Sequence, residues 1–173
     1  MKNLSIVIPV LNESHKILRN LKEKLEVLGA EVIVVDDGSK KALPEAVKHG
    51  VNFGYGAAIL TGIKQVKNDL IMTMDGDGQH RVEDVVNLWQ VWQMMEKGVG
   101  IDLLIGARRL KQEKWFRYLG RKLLNTLASI LALYWLPDLN SGLRLFRKEI
   151  VQGYSPILCK TYSFTTSLTI SMI

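Results

Sequence analysis

Leu70-Ile71-Met72-Thr73-Met74-Asp75-Gly76-Asp77-Gly78-Gln79-His80 is the stretch that decides the fold of this chain. A short apolar run, strand-like in length and composition, ends in two carboxylates one residue apart, with glycines beside them. A strand that delivers carboxylates onto a tight loop presents hard oxygen ligands. The glycines let the backbone turn sharply and let a ligand approach closely. Such a loop suits Mg²⁺ or Mn²⁺ held partly by protein and partly by phosphate oxygens. An isolated Asp-x-Asp is equally good as a solvated turn, so the surroundings decide.

Working outward, the chain alternates between two periods. Leu4 to Val10 reads as a buried strand. Asn12 or Ser14 can cap a helix carrying Ile17, Leu18, Leu21, Leu25 and Leu28 on one face, and Gly29 ends it. Glu31 to Val35 is a second strand, with Asp36-Asp37-Gly38-Ser39 at its end. Gly54-Tyr55-Gly56 opens a helix, and Val82 to Glu96 forms another around Val82, Val85, Val86, Trp89, Trp92 and Met95. Asp102 to Ile105 is a strand before Gly106-Ala107-Arg108-Arg109, Phe116 to Tyr134 a long helix, and Leu143 to Phe146 a short strand. Alternating strands and helices predict a parallel sheet with helices on both faces. Ligands of such sheets bind beyond the carboxyl ends of the strands. Asp36/Asp37, Asp75/Asp77 and Arg108/Arg109 all fall at such ends, which raises the Asp-x-Asp above a turn.

The bulk properties bound the rest. A chain of 173 residues, 47% hydrophobic, holds one domain with a real core. The lone Cys159 excludes an intrachain disulfide and a cysteine-based zinc site. The opening apolar stretch is too short for a signal-peptide core, so a cytoplasmic-side protein is expected. The net charge of +6 suits phosphate-bearing partners or an anionic membrane. Lys111, Lys114, Arg117, Arg121 and Lys122 cluster around Trp115, Phe116 and Tyr118. The apolar segment that follows, Leu123 to Leu136, falls short of the roughly 20 residues of a membrane span. An amphipathic helix lying at a membrane surface is one expectation for it, and a core helix is the other.

Four segments in order resemble a known family: Ser5-Ile6-Val7-Ile8-Pro9-Val10-Leu11-Asn12-Glu13, Val34-Val35-Asp36-Asp37-Gly38-Ser39, Asn52-Phe53-Gly54-Tyr55-Gly56-Ala57-Ala58 and Asp75-Gly76-Asp77-Gly78-Gln79-His80. Together they resemble inverting family 2 glycosyltransferases with the GT-A fold. Leu104-Ile105-Gly106-Ala107-Arg108 and Asp138-Leu139-Asn140-Ser141-Gly142-Leu143-Arg144-Leu145-Phe146-Arg147-Lys148 are similar to the dolichol-phosphate mannosyltransferase and polyprenyl-phosphate glycosyltransferase branch. The resemblance implies an α/β fold, a Rossmann-like, mostly parallel sheet with helices on both faces, formed by residues 1–173 as one catalytic domain. It implies transfer of a hexose from GDP-mannose or UDP-glucose to a polyprenyl or dolichyl phosphate, with inversion and with Mg²⁺ or Mn²⁺; it implies no nucleic-acid partner.

The resemblance also assigns residues. Pro9, Leu11 and Glu13 would border the nucleotide, and Asp37, with Asp36, would accept hydrogen bonds from base or ribose. Asp75, Asp77 and Gln79 would hold the cation, with Gly76 against the donor. Asp77, Arg108 and Arg144 would carry catalysis. Arg108 would meet phosphate, and Arg144 and Ser141 would stand on the acceptor side. Arg117 and Arg121, one helical turn apart, could share a lipid phosphate. Each has a plainer alternative: strand-end turns for Asp36, Asp37, Ser141 and Arg144, and solvated arginines for the rest. His15, His49 and His80 are expected to be surface or capping residues, and Gly54 and Gly56 to serve close packing.

Three departures stand out. Lys40 to Val51 is short for a helix and a strand, so one sheet element should be truncated. The chain ends at Ile173 inside an apolar helix from Phe164, ahead of the family's acceptor loop, so an incomplete C-terminus with poor turnover is expected. Leu11 stands where many members carry an aromatic residue. Three other functions stay open: a nucleotide-sugar-binding remnant without turnover, transfer to a saccharide, and a haloacid-dehalogenase-type phosphatase. The phosphatase expects a hydroxyl or β-branched residue where Gln79 stands.

Overall fold

The computed structural model describes residues 1–98, 100–106, 126, 129, 138 and 140–172. Six strands form one sheet in the order β3-β2-β1-β4-β6-β5. They are β1 (Leu4–Val10), β2 (Glu31–Asp36), β3 (Val47–Lys48), β4 (Leu70–Thr73), β5 (Leu103–Ile105) and β6 (Arg144–Arg147). The described helices are α1 (His15–Val27), α2 (Tyr55–Gln65), α3 (Val82–Glu96), α4 (Lys148–Tyr154) and α5 (Phe164–Ile170).

Every residue of β1 is buried, as a central strand covered on both faces requires. Its side chains alternate between two cores. Ile6 and Ile8 join Leu18, Leu21, Leu25, Met72, Val85, Trp92 and Leu145 beneath α1 and α3. Val7 joins Ile59, Ile63, Ile71, Phe146, Phe164 and Leu168 beneath α2, α4 and α5. Burial of each large apolar side chain contributes about 1.5–3 kcal/mol. Ile17 and Leu28, expected on the inner face of α1, are largely exposed. Asn12 does not cap α1. It takes the left-handed conformation asparagine tolerates, its side-chain oxygen accepts from the Lys40 amide, and its own amide donates to Ser39 Oγ.

The expectation of a mostly parallel sheet holds. β1, β2, β3 and β4 run parallel, while β6 is antiparallel to both β4 and β5. The truncated element is β3, cut to two residues, with no helix described between it and β2. β4 lies on the opposite side of β1 from β2, so the strand order reverses there and opens a crevice beyond the carboxyl ends. Because β6 runs backwards, its start, not its end, reaches that edge: Arg144 pairs with both Thr73 and Ile105. The 141–143 loop is stitched in place by Thr73 Oγ1 donating to Gly142 O at 2.8 Å and by Gly106 N donating to Leu143 O at 2.9 Å.

Candidate functional site

A cleft of about 790 Å³ opens at this edge. The end of β1 supplies Pro9, Val10, Leu11 and Glu13; the loop after β4 supplies Asp75, Gly76 and Asp77. Asp37 and Asn52 form one wall, Tyr55 and Ala58 of α2 another, and Asn140 with Tyr162, Ser163, Thr165 and Thr166 the far side.

Asp75 faces the cleft and is held on two sides. Tyr55 Oη donates to its Oδ1 at 2.9 Å. Behind it lies Gly142, where a Cβ would sit only 2.1 Å from Asp75 Oδ1; glycine alone lets the β6 loop pass so close. Asp77 is exposed, and its Oδ1 accepts the Gln79 amide at 2.9 Å, closing a short turn. Among the described residues no three His, Cys, Asp or Glu side chains gather as a metal cage. Two carboxylates on one cleft fit a divalent cation that takes its other oxygens from water and a diphosphate.

Asp36 and Asp37 differ from this pair. Asp36 is buried and lies off the cleft. Its Oδ1 accepts the Ser39 amide and its Oδ2 the Leu43 amide, both at 2.9 Å. Burial alone would push this carboxyl up, but hydrogen bonds from Ser39 and Leu43 and the nearby His15 bring it below the ordinary value of 3.8. Asp37 does line the cleft. Its Oδ1 accepts from His49 Nδ1 at 2.7 Å and Phe53 N at 2.9 Å, and its Oδ2 from Gly54 N at 2.8 Å. A carboxylate has about four acceptor sites, so one remains for a ligand.

Several expected site residues are placed elsewhere. Asp36 folds the 37–43 loop and does not reach a base or ribose. Ser141 is buried, and its hydroxyl donates to Gly106 O, fixing the loop before β6 to the end of β5. Arg144 is fully buried and absent from the cleft wall. Its Nε donates to Ser141 O at 2.8 Å and its Nη1 to Thr169 Oγ1 of α5. It clamps α5 onto the sheet and is not available to a phosphate. Gln79 is exposed and off the cleft wall. Arg108, Arg117 and Arg121, with the basic cluster and all of the apolar segment after it but Thr126 and Ser129, lie outside the described residues. Among those described, no helix is long and apolar enough to cross a membrane.

Other contributions went unforeseen. Tyr55 lies in a segment read only as a helix start. Gly54 and Gly56 do serve packing, but against the 159–161 loop: a Cβ on Gly56 would lie 2.3 Å from Cys159 O. The Gly56 and Ala57 amides donate to Thr161 O and Lys160 O at 3.2 and 2.8 Å. The start of α2 is therefore capped by protein and holds no phosphate. His49 and His80 are not surface residues; His49 Nε2 meets Thr61 Oγ1 at 2.9 Å, and His80 is buried.

Carboxylates at the ends of β2 and β4, around a crevice where the strand order reverses, are joined by matches to known proteins. The family model for glycosyl transferase family 2 matches residues 5–154. The chain belongs to that family.

An undecaprenyl-phosphate 4-deoxy-4-formamido-L-arabinose transferase of Aeromonas hydrophila is 27% identical over 96% of this chain and 58% of its own length. The protein of that name from Salmonella paratyphi B is 31% identical over 87% of this chain and 50% of its own. The chain thus spans about half the length of the curated relatives it matches. Among solved structures, glucosyl-3-phosphoglycerate synthase of Mycobacterium tuberculosis, in complex with Mn²⁺, UDP-glucose and phosphoglyceric acid, superposes with a TM-score of 0.74 at 21% identity. That match covers 99% of this chain and 65% of the synthase, and it establishes the GT-A type of fold.

Proposed function

We propose that this chain carries the donor site of a transferase that moves a sugar from a nucleoside-diphosphate sugar to a polyprenyl phosphate, with inversion at the anomeric carbon. The observation that carries this reading is that Asp75 and Asp77 share one cleft with Asp37 and the end of β1. The names of the curated relatives support the polyprenyl-phosphate acceptor. One sheet with helical layers on both faces supports treating residues 1–173 as one domain.

In this reading the base or ribose lies along Pro9, Leu11 and Glu13 and meets the remaining acceptor site of Asp37. The diphosphate lies over Gly76, with Asp75 and Asp77 holding Mg²⁺ or Mn²⁺. The cation, when bound, offsets the charge that develops on the departing nucleoside diphosphate. An acceptor phosphate oxygen bonds to the anomeric carbon from the opposite face as the bond to the diphosphate oxygen breaks. That oxygen carries no proton to remove, because a phosphate monoester, with its second pKa near about 6, is largely a dianion at neutral pH. A sugar hydroxyl would need a base. Among the carboxylates on the cleft, Asp37 accepts three donors and Asp75 is held by Tyr55, which leaves few groups for that task.

Calorimetry with UDP and GDP, each with and without Mn²⁺, tests the donor half. Metal-dependent binding of one of them is expected, and binding of neither sinks the reading. Labelled UDP-glucose, GDP-mannose and a UDP-linked 4-deoxy-4-formamido-L-arabinose, offered with a short polyprenyl phosphate, test the acceptor. Label is expected in the organic-extractable lipid; label in a free saccharide instead would shift the assignment to saccharide transfer.

A further inference from the structure

His80 ends the carboxylate loop, immediately before Arg81 and α3. Its side chain is 95% buried, at 5% relative exposure. Its Nε2 is shielded from solvent and has no hydrogen-bond partner among the described residues. Buried polar atoms are rarely left so, because desolvation is then uncompensated. Asp75 Oδ2 stands 3.7 Å from it, just beyond hydrogen-bond reach. The contrast with His49 is instructive: both of its ring nitrogens are bonded, to Asp37 and Thr61, as in a purely structural histidine.

Asp75 is gripped from other sides. Tyr55 holds Oδ1, and the Gly142 backbone packs against the carboxyl group. We propose that His80 is a positioning residue: its Nε2–H donates to Asp75 Oδ2 when that carboxylate turns to engage a divalent cation. The bond fixes which Asp75 lone pair faces the cleft. Groups behind a ligating carboxylate orient it and raise its effectiveness, and their loss typically weakens metal affinity by about 10–100-fold. The inference rests on the proposed role of Asp75 and Asp77 as the cation-holding pair.

The test is Mn²⁺ binding followed by electron paramagnetic resonance in the presence of UDP or GDP, whichever binds. It compares the unaltered chain with His80→Leu, His80→Gln and Asp77→Ala, with thermal melts in metal-free buffer. His80→Leu should weaken Mn²⁺ binding about 10-fold. Its metal-free Tm should not fall, since Leu removes an unsatisfied buried atom. His80→Gln restores a donor and should keep affinity within about 3-fold of the unaltered chain. Unchanged affinity in His80→Leu, with Asp77→Ala impaired, overturns the role of His80 alone. Equal losses in both His80 variants with a lowered metal-free Tm also overturn it, because that pattern is structural. Unimpaired binding by Asp77→Ala overturns the cation-holding pair itself, and this inference with it.

Discussion

Asp36 and Asp37 close β2, while Asp75 and Asp77 follow β4, all on one edge of the sheet. The first pair receives five hydrogen bonds at its side chains, four of them from backbone amides and one from His49. At the second pair, Tyr55 bonds Asp75 and the Gln79 amide bonds Asp77. Identical chemistry at equivalent positions thus does different work. Amides tie Asp36 into the loop that follows it, and two amides with His49 hold Asp37, leaving it one acceptor site. Both carboxylates of the second pair line the cleft. What separates them is the following loop: Gly38 to Gly54 wraps back over Asp36 and Asp37, whereas Gly76 to His80 turns away.

The sharpest way to break that contrast is to delete one carboxylate from each pair. Asp77→Ala should reduce metal-dependent nucleotide affinity by about 100-fold or more, the scale of a lost direct ligand. Its stability should stay within about 0.5 kcal/mol, as for an exposed substitution. Calorimetry paired with urea unfolding reads both. Retained affinity would place the cation elsewhere. Asp36→Ala should do the reverse. A buried amide, that of Leu43, and a part-buried one, that of Ser39, lose their charged acceptor, which should cost about 2–4 kcal/mol of stability. Nucleotide affinity of the folded fraction should change little.

Acid gives a milder form of the same test. The Asp36 carboxyl lies below its ordinary value of 3.8 in the folded protein. A depressed carboxylate stabilises the fold above its unfolded value, and that contribution is lost as pH falls through the folded one. Its share is therefore complete well above pH 3.8 and fades as pH falls through that value toward the lower folded one. Unfolding of the unaltered chain and of Asp36→Asn, followed from pH 5 to pH 2, should show the gap between them narrowing as acid is added. A gap that stays constant would mean that the amide bonds to Asp36 do not depend on its charge.

Much of this architecture was legible in the amino-acid sequence, because it rests on local periodicity. The apolar runs Leu4–Val10 and Leu70–Met74 and the helical stripe from Val82 to Glu96 mark elements that formed nearly where expected. The cleft was legible for the same reason, since strand ends carry their carboxylates to a common edge. The errors are non-local. Arg144 was expected on the acceptor side, but its guanidinium is directed to Ser141 O and to Thr169 of α5. Nothing near Asp36 signals that the Leu43 amide will return to it. The antiparallel course of β6 has no local signature either, yet it delivers Gly142 to the back of Asp75.

Gly142 offers the finest test, because it moves Asp75 without altering its charge. A Cβ at this position would stand 2.1 Å from Asp75 Oδ1 and 2.4 Å from its Cγ, so the carboxyl group must shift. The neighbouring backbone cannot yield as easily, since Thr73 Oγ1 is bonded to Gly142 O and Gly106 N to Leu143 O. Gly142→Ala should therefore pull Asp75 off the Tyr55 hydroxyl and misalign it for a cation. The expected loss is about 10-fold in metal-dependent nucleotide affinity, near 1.4 kcal/mol. Overpacking should cost about 1 kcal/mol of stability besides. Asp75→Ala as the background makes the cause visible. With the carboxyl group gone, the added methyl has nothing to displace, so Gly142→Ala should cause no further loss of affinity. A full second 10-fold loss in that background would show that Gly142 acts on the cleft through some group other than Asp75.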